Sequence, residues 1–197
     1  GRLALSWRQF LPRTAAGRID PADVAAEFGA QADAVAGAGI ALTHLDTHQH
    51  LHLWPLVRTV VLGMAERLGV AVRVTRSAAH SPVGVVVRRL SVALEAEARW
   101  RSIPFPDDAA GLDEAGSLDD STLVRALRRL AAGPGTSAEV GSHPGEASDP
   151  DRHRYRWDYR WGDELAALTS PAARHAVDDA GFVLGTYAEL APAGPTP

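Results

Sequence analysis

Residues 40–75, "IALTHLDTHQHLHLWPLVRTVVLGMAERLGVAVRVT", decide the fold, because the apolar pattern changes period twice and each change is punctuated. "IALTHL" at 40–45 is a short apolar run suited to a buried strand, and "VAVRVT" at 70–75 is another. Between them, Pro55 opens and Gly69 closes a stretch with apolar residues at helical spacing. Strand, helix and strand in that order imply parallel pairing through a crossover.

The same grammar extends in both directions. Asp20 followed by Pro21 is a cap and first-turn pair, and Val24, Phe28 and Val35 form a stripe that predicts a helix over 21–38, closed by Gly39. Downstream, the spacing predicts a helix from Val83 to about Arg101. A second, capped by Asp119 or Asp120, turns Leu123, Leu127 and Leu130 inward. "AEVGSH" at 138–143 reads as a strand, Pro171–Ala180 as a helix closed by Gly181, and "FVLGTY" at 182–187 as a last strand. Alternating strands and helices of this length predict an α/β architecture, open or barrel-like. Residues 1–190 read as one domain, and "APAGPTP" at 191–197 as a disordered tail, since Pro and Gly without apolar periodicity cannot offset the entropy of ordering.

Composition removes several function classes. A net charge of -4 leaves no electrostatic footprint for nucleic acid. All 20 basic residues are Arg, so Schiff-base, Walker and carbamylated lysines are impossible. Without cysteine, any metal must be held by His, carboxylates and water. No apolar run is long enough to span a bilayer, so no membrane partner is expected; a cytoplasmic location is a separate expectation. The chain starts at Gly1, so the lack of a signal peptide carries no information.

Ligands of α/β folds gather at the C-terminal ends of strands, and two motifs fall there. The first contains Asp46, His48, His50 and His52. If extended, these four share one side; if helical, His48 and His52 face the same way at i, i+4. Either geometry presents imidazoles to a divalent ion, with a carboxylate near enough to fix a tautomer. A polar surface turn is the competing reading, and it suits His44 and His50 best. The second motif, "EVGSHPGE" at 139–146, brings His143 out of a strand just before Pro144 and Gly145 bend the chain, which suits proton transfer near neutral pH. A third stretch, "DRHRYRWDYRW" at 151–161, interleaves arginines with Tyr155, Trp157, Tyr159 and Trp161. Trp157 and Arg160 are candidate sugar contacts there, with structural packing as the alternative and nucleic acid disfavoured by charge.

"THLDTHQHLH" followed by Trp-Pro, then "GTSAEVGSHPGE", "YRWGDELAALTSP" and "AGFVLGTYAEL" resemble, in that order, the YdjC family of carbohydrate deacetylases, over about residues 17–190. The family includes chitooligosaccharide deacetylases and hopanoid-biosynthesis-associated proteins. The resemblance implies a distorted parallel β/α barrel of the polysaccharide-deacetylase type. It implies a hydrolase that removes acetyl from an N-acetylated sugar with a divalent metal, magnesium first and zinc or cobalt as alternatives. It makes His48 a metal ligand and His143 an active-site group. Asp46 is carried over as support for the ligand and a catalytic candidate, and His52 as lining the site and a second metal candidate. Asp107 resembles an acidic position of the family's loop and is a candidate substrate contact.

The sequence also departs from the family, whose first strand ends in Asp-Asp-Phe-Gly, a run that is not present, and whose later Gly-x-His is matched only by Gly141-Ser142-His143 within the second motif. "PDDAAG" at 106–111 and "DDAGF" at 178–182 sit in other contexts. The chain therefore resembles the last two-thirds or so of a family member, lacking the first strands, and its activity alone is expected to be absent. Two other readings stay open: an amidohydrolase-type metal hydrolase, from the His-x-His pattern at 48–50, and a catalytically incomplete sugar-binding remnant. The expected partner is an N-acetylated sugar, with self-association allowed.

Overall fold

A computed structural model describes residues 7–151 and 157–190. The Arg/Tyr part of the third stretch and the expected tail at 191–197 lie outside them. The chain groups into two compact units, one of residues 1–73, 89–105 and 186–197, the other of residues 74–88 and 106–185.

The first unit contains helices α1 (Trp7–Ala15) and α2 (Pro21–Gly37), strand β1 (His44–Leu45), helix α3 (Pro55–Leu68) and strand β2 (Ala71–Val72). Helix α2 begins where the sequence predicts: Asp20 accepts a hydrogen bond from Ala22 N–H, with Pro21 in the first turn. Gly69 ends α3 at φ 66°, the left-handed conformation that a residue without Cβ adopts at little cost. Strands β1 and β2 pair in parallel, His44 opposite Ala71 and Leu45 opposite Val72. Helix α3, which joins them, buries Val57, Val61, Leu62, Met64 and Ala65, and packs on β1, β2 and α2. Each fully buried leucine or valine contributes about 1.5–3 kcal/mol, so α3 anchors this unit.

Helix α4 (Pro82–Trp100) follows the predicted span. In the second unit, β3 (Asp108–Ala110) and β4 (Ala138–Val140) pair in parallel through α5 (Asp120–Ala131). Asp119 caps α5 through Thr122 N–H, and Leu123, Leu127 and Leu130 are buried, as their spacing requires. Helices α6 (Trp161–Leu168) and α7 (Pro171–Asp179) pack on α5 around Leu118, Leu123, Leu127, Ala167, Ala173 and Ala176.

The strands are shorter than expected, two or three residues each. Among the described residues they form two separate parallel pairs and no closed barrel. Residues 182–186 are not a strand: Val183 is 92% and Leu184 72% exposed, with no ladder partner among the described residues. An apolar run satisfies propensity, but a strand forms only where a neighbour supplies the ladder. No described helix is long and apolar enough to cross a membrane.

Candidate active site

The first motif leaves the C-terminal end of β1, beside the end of β2. Arg73 N–H donates to Leu45 C=O at 3.0 Å, and its Nη1 donates to Asp46 Oδ2 at 2.7 Å. Asp46 Oδ1 accepts from Thr47 N–H at 2.7 Å and lies 3.4 Å from His52 Nδ1. Burial acts to raise the Asp46 carboxyl, but the Arg73 hydrogen bond, His52 and the Thr47 amide outweigh it and hold it below the ordinary carboxylate range.

The chain then follows neither anticipated geometry. Residues His48–Leu53 form a 3₁₀ turn broken at Gln49 and His50, both at φ 54°. Two consecutive non-glycine residues in the left-handed region store roughly 1–2 kcal/mol each, and strain of this kind concentrates at functional sites. The break allows Thr47 Oγ1 to accept from His52 N–H at 2.8 Å while lying 2.9 Å from His52 Nδ1.

His52 is completely buried. Burial pushes its imidazole down to about 4, against the opposing pull of Asp46, so it is neutral at pH 7. With Asp46 and Thr47 oxygens both at Nδ1, the proton belongs there, and the Nε2 lone pair is left buried without a hydrogen-bond partner. A neutral, oriented imidazole with an unused lone pair fits a metal ligand. No group of three or more His, Asp or Glu side chains placed to hold a metal occurs among the described residues. The residues therefore fit part of a coordination shell. His48 opens the same turn, and His50 meets the His52 ring edge-on at 6.1 Å.

His143 belongs to the second unit, whereas Asp46, His48 and His52 belong to the first. It follows β4, in a turn tied to α6: His143 N–H donates to Glu164 Oε2 at 2.5 Å, and Gly145 N–H to Trp161 C=O at 3.1 Å. Tyr159 and Trp161 meet the His143 ring edge-on at 5.0 and 6.4 Å, and Trp157 lies 5.6 Å from Tyr159 and 6.0 Å from Trp161. Arg160 is engaged by Asp163, Asp119 and Ser117 C=O. Asp107 Oδ2 accepts from the amides and hydroxyls of Thr136 and Ser137 at 2.9–3.2 Å, tying β3 to the entry of β4.

Sequence reasoning passed over Glu164. Its carboxylate is 0% exposed and bridges Gly116 N–H, at 2.6 Å, and His143 N–H. A glutamate in a short helix rich in acidic residues reads as solvated; only its place in "YRWGDELAALTSP" marked it.

A family profile described as YdjC-like protein matches residues 1–179. The chain is 28% identical to a chitooligosaccharide deacetylase of Enterobacter sp. (strain 638), over 75% of this chain and 53% of the relative. It is 30% identical to a carbohydrate deacetylase of Homo sapiens, over 92% of this chain and 64% of the relative. It thus spans between about half and two thirds of the length of these curated relatives. A solved structure from Enterococcus faecalis V583, provisionally described as a cellobiose-phosphate cleavage protein, superposes with a TM-score of 0.69 at 18% identity, over 87% of this chain and 61% of the other. That likeness is one of fold.

Proposed function

The chain belongs to the YdjC-like protein family, and from that premise we propose that it carries part of the site of a hydrolase that removes N-acetyl groups from amino sugars or their oligosaccharides. Relatives named as chitooligosaccharide and carbohydrate deacetylases support the substrate class. The accompanying fold reading is the distorted parallel β/α barrel of polysaccharide deacetylases. The observation that carries the chemistry is His52, neutral, buried, held at Nδ1 and with its Nε2 lone pair unused.

In this reading His52 and His48 hold a divalent ion, magnesium first and zinc or cobalt as alternatives. Such an ion supplies Lewis acidity toward water and an acetyl carbonyl. Asp46 orients His52 through Nδ1 and is itself kept charged by Arg73. His143 provides the proton that an amine needs before it can leave. The Trp157, Tyr159 and Trp161 faces suit stacking on sugar rings, and Arg160 with the second oxygen of Asp107 suits sugar hydroxyls.

The test is acetate release from N-acetylglucosamine oligomers by the full-length gene product with added Mg, Zn or Co, beside metal binding by calorimetry. His52→Ala should weaken metal binding, whereas His143→Gln should lower kcat on the order of 10²-fold with metal stoichiometry unchanged. Absence of acetate release with every ion and every N-acetylated sugar would refute the function.

A further inference from the structure

We infer that Glu164 is a positioning residue for His143: its buried carboxylate fixes the backbone of the His143 turn and holds the imidazole in the tautomer protonated at Nδ1, leaving Nε2 for the substrate. The inference rests on the reading of His143 as the proton-transfer group and names the residue that sets its orientation.

A wholly buried carboxylate is costly unless its charge is matched. Among the described residues, the polar contacts of Glu164 are two backbone amides, Gly116 N–H on Oε1 and His143 N–H on Oε2, and the His143 ring, whose Nδ1 lies 4.0 Å from Oε2. A guanidinium would be the ordinary partner for a buried carboxylate. Among the described residues, the amide dipoles and one imidazole take that place. If the group served packing alone, an apolar side chain of similar volume would serve as well or better.

The imidazole shows the complementary feature. His143 Nδ1 is buried and has no hydrogen-bond partner, although 38% of the side chain is exposed. A lone pair at Nδ1 would face the carboxylate unfavourably, whereas an N–H there is attracted to it. The separation is about 1 Å beyond hydrogen-bond range, so a small ring movement makes the bond. Tyr159 and Trp161 limit the other directions of movement. With hydrogen on Nδ1, the ring's second nitrogen is the one that gains and gives a proton, as in other carboxylate–histidine pairs.

Gly116 shows how closely this cluster is built. It sits at φ 80°, and a Cβ there would fall 2.3 Å from the Tyr159 ring. Its N–H meets Glu164 while its C=O accepts from Arg160 N–H at 3.0 Å. One loop, one helix and the His143 turn therefore converge on a single carboxylate.

The test is nitrogen NMR of the full-length protein labelled at histidine, with the His143 signals assigned by their loss in H143Q. The expected spectrum is that of the Nδ1–H tautomer. E164Q should redistribute it toward Nε2–H and lower kcat about tenfold or more, with KM little changed. A wild-type spectrum of the Nε2–H form overturns the inference, and so does an E164Q protein with unchanged tautomer and kcat. Should E164Q fail to fold, the wild-type spectrum decides, since it needs no variant. If H143Q keeps full acetate release, the proton-transfer reading fails, while the tautomer still supports or overturns the hold of Glu164 on the ring.

Discussion

Asp46 shows how one carboxylate makes a histidine useful. It takes the Arg73 charge on one oxygen and faces His52 Nδ1 with the other, so it fixes the imidazole, while burial keeps that ring neutral against its pull. If His52 is a ligand, Asp46→Asn should weaken divalent-ion binding about 10–100-fold, the usual loss when a ligand's outer partner is removed. Calorimetry reads this directly, and unchanged affinity would remove Asp46 from the site. Two other aspartates contribute to the acid limb of stability. At Asp107, burial is outweighed by the Thr136 and Ser137 donors, and at Asp119 the Thr122 amide and neighbouring hydroxyls hold the carboxyl down to about 2. Folded values below the ordinary 3.8 mean that both stabilise above that pH and lose this contribution as pH falls through their folded values, about 2 for Asp119. Asp119→Asn keeps a competent helix cap but removes one titration. Its melting temperature should therefore fall less steeply between pH 4 and 2 than that of the parent, with little change at pH 7. Residue identities made Asp46 and His52 candidates from the sequence. The left-handed pair Gln49–His50 and the burial of Glu164 depend on what packs around them and had no local signal.

The helices that the sequence predicted were legible nearly to the residue, whereas α1 and α6 were not predicted and the strands were not resolved in length. Caps, first-turn prolines and left-handed glycines are local chemistry, which is why α2 and α3 start and end, and α5 starts, where the sequence places them. A strand's length is set by its neighbour, so "IALTHL" and "VAVRVT" contract to two paired residues each. Helix α6 was missed because its apolar spacing is interrupted by Asp163 and Glu164. The turn that precedes it is sensitive to one glycine. Gly116→Ala places a methyl group against Tyr159 at a positive φ, and should destabilise by about 1–3 kcal/mol. In a chain of this size that lowers Tm by roughly 2–4 °C per kcal/mol. A melt indistinguishable from the parent would mean that the Tyr159 ring does not rest on Gly116.

On the scale of the whole molecule, an α/β chain with parallel pairing was readable from alternation alone, whereas the expected last strand was not formed. Val183 and Leu184 are exposed, so replacing both with serine should change stability by less than about 0.5 kcal/mol. A loss of several kcal/mol in a denaturant titration would show that they are buried in solution. The short parallel ladders also bear on the order in which the chain folds. His44 meets Ala71 and Asp108 meets Ala138, so each ladder closes a loop of roughly thirty residues and returns only two or three rungs. Neither ladder can nucleate itself; the intervening helices α3 and α5 must gather the apolar contacts first. Substitutions on their buried faces should slow refolding, while substitutions in the strands mainly hasten unfolding.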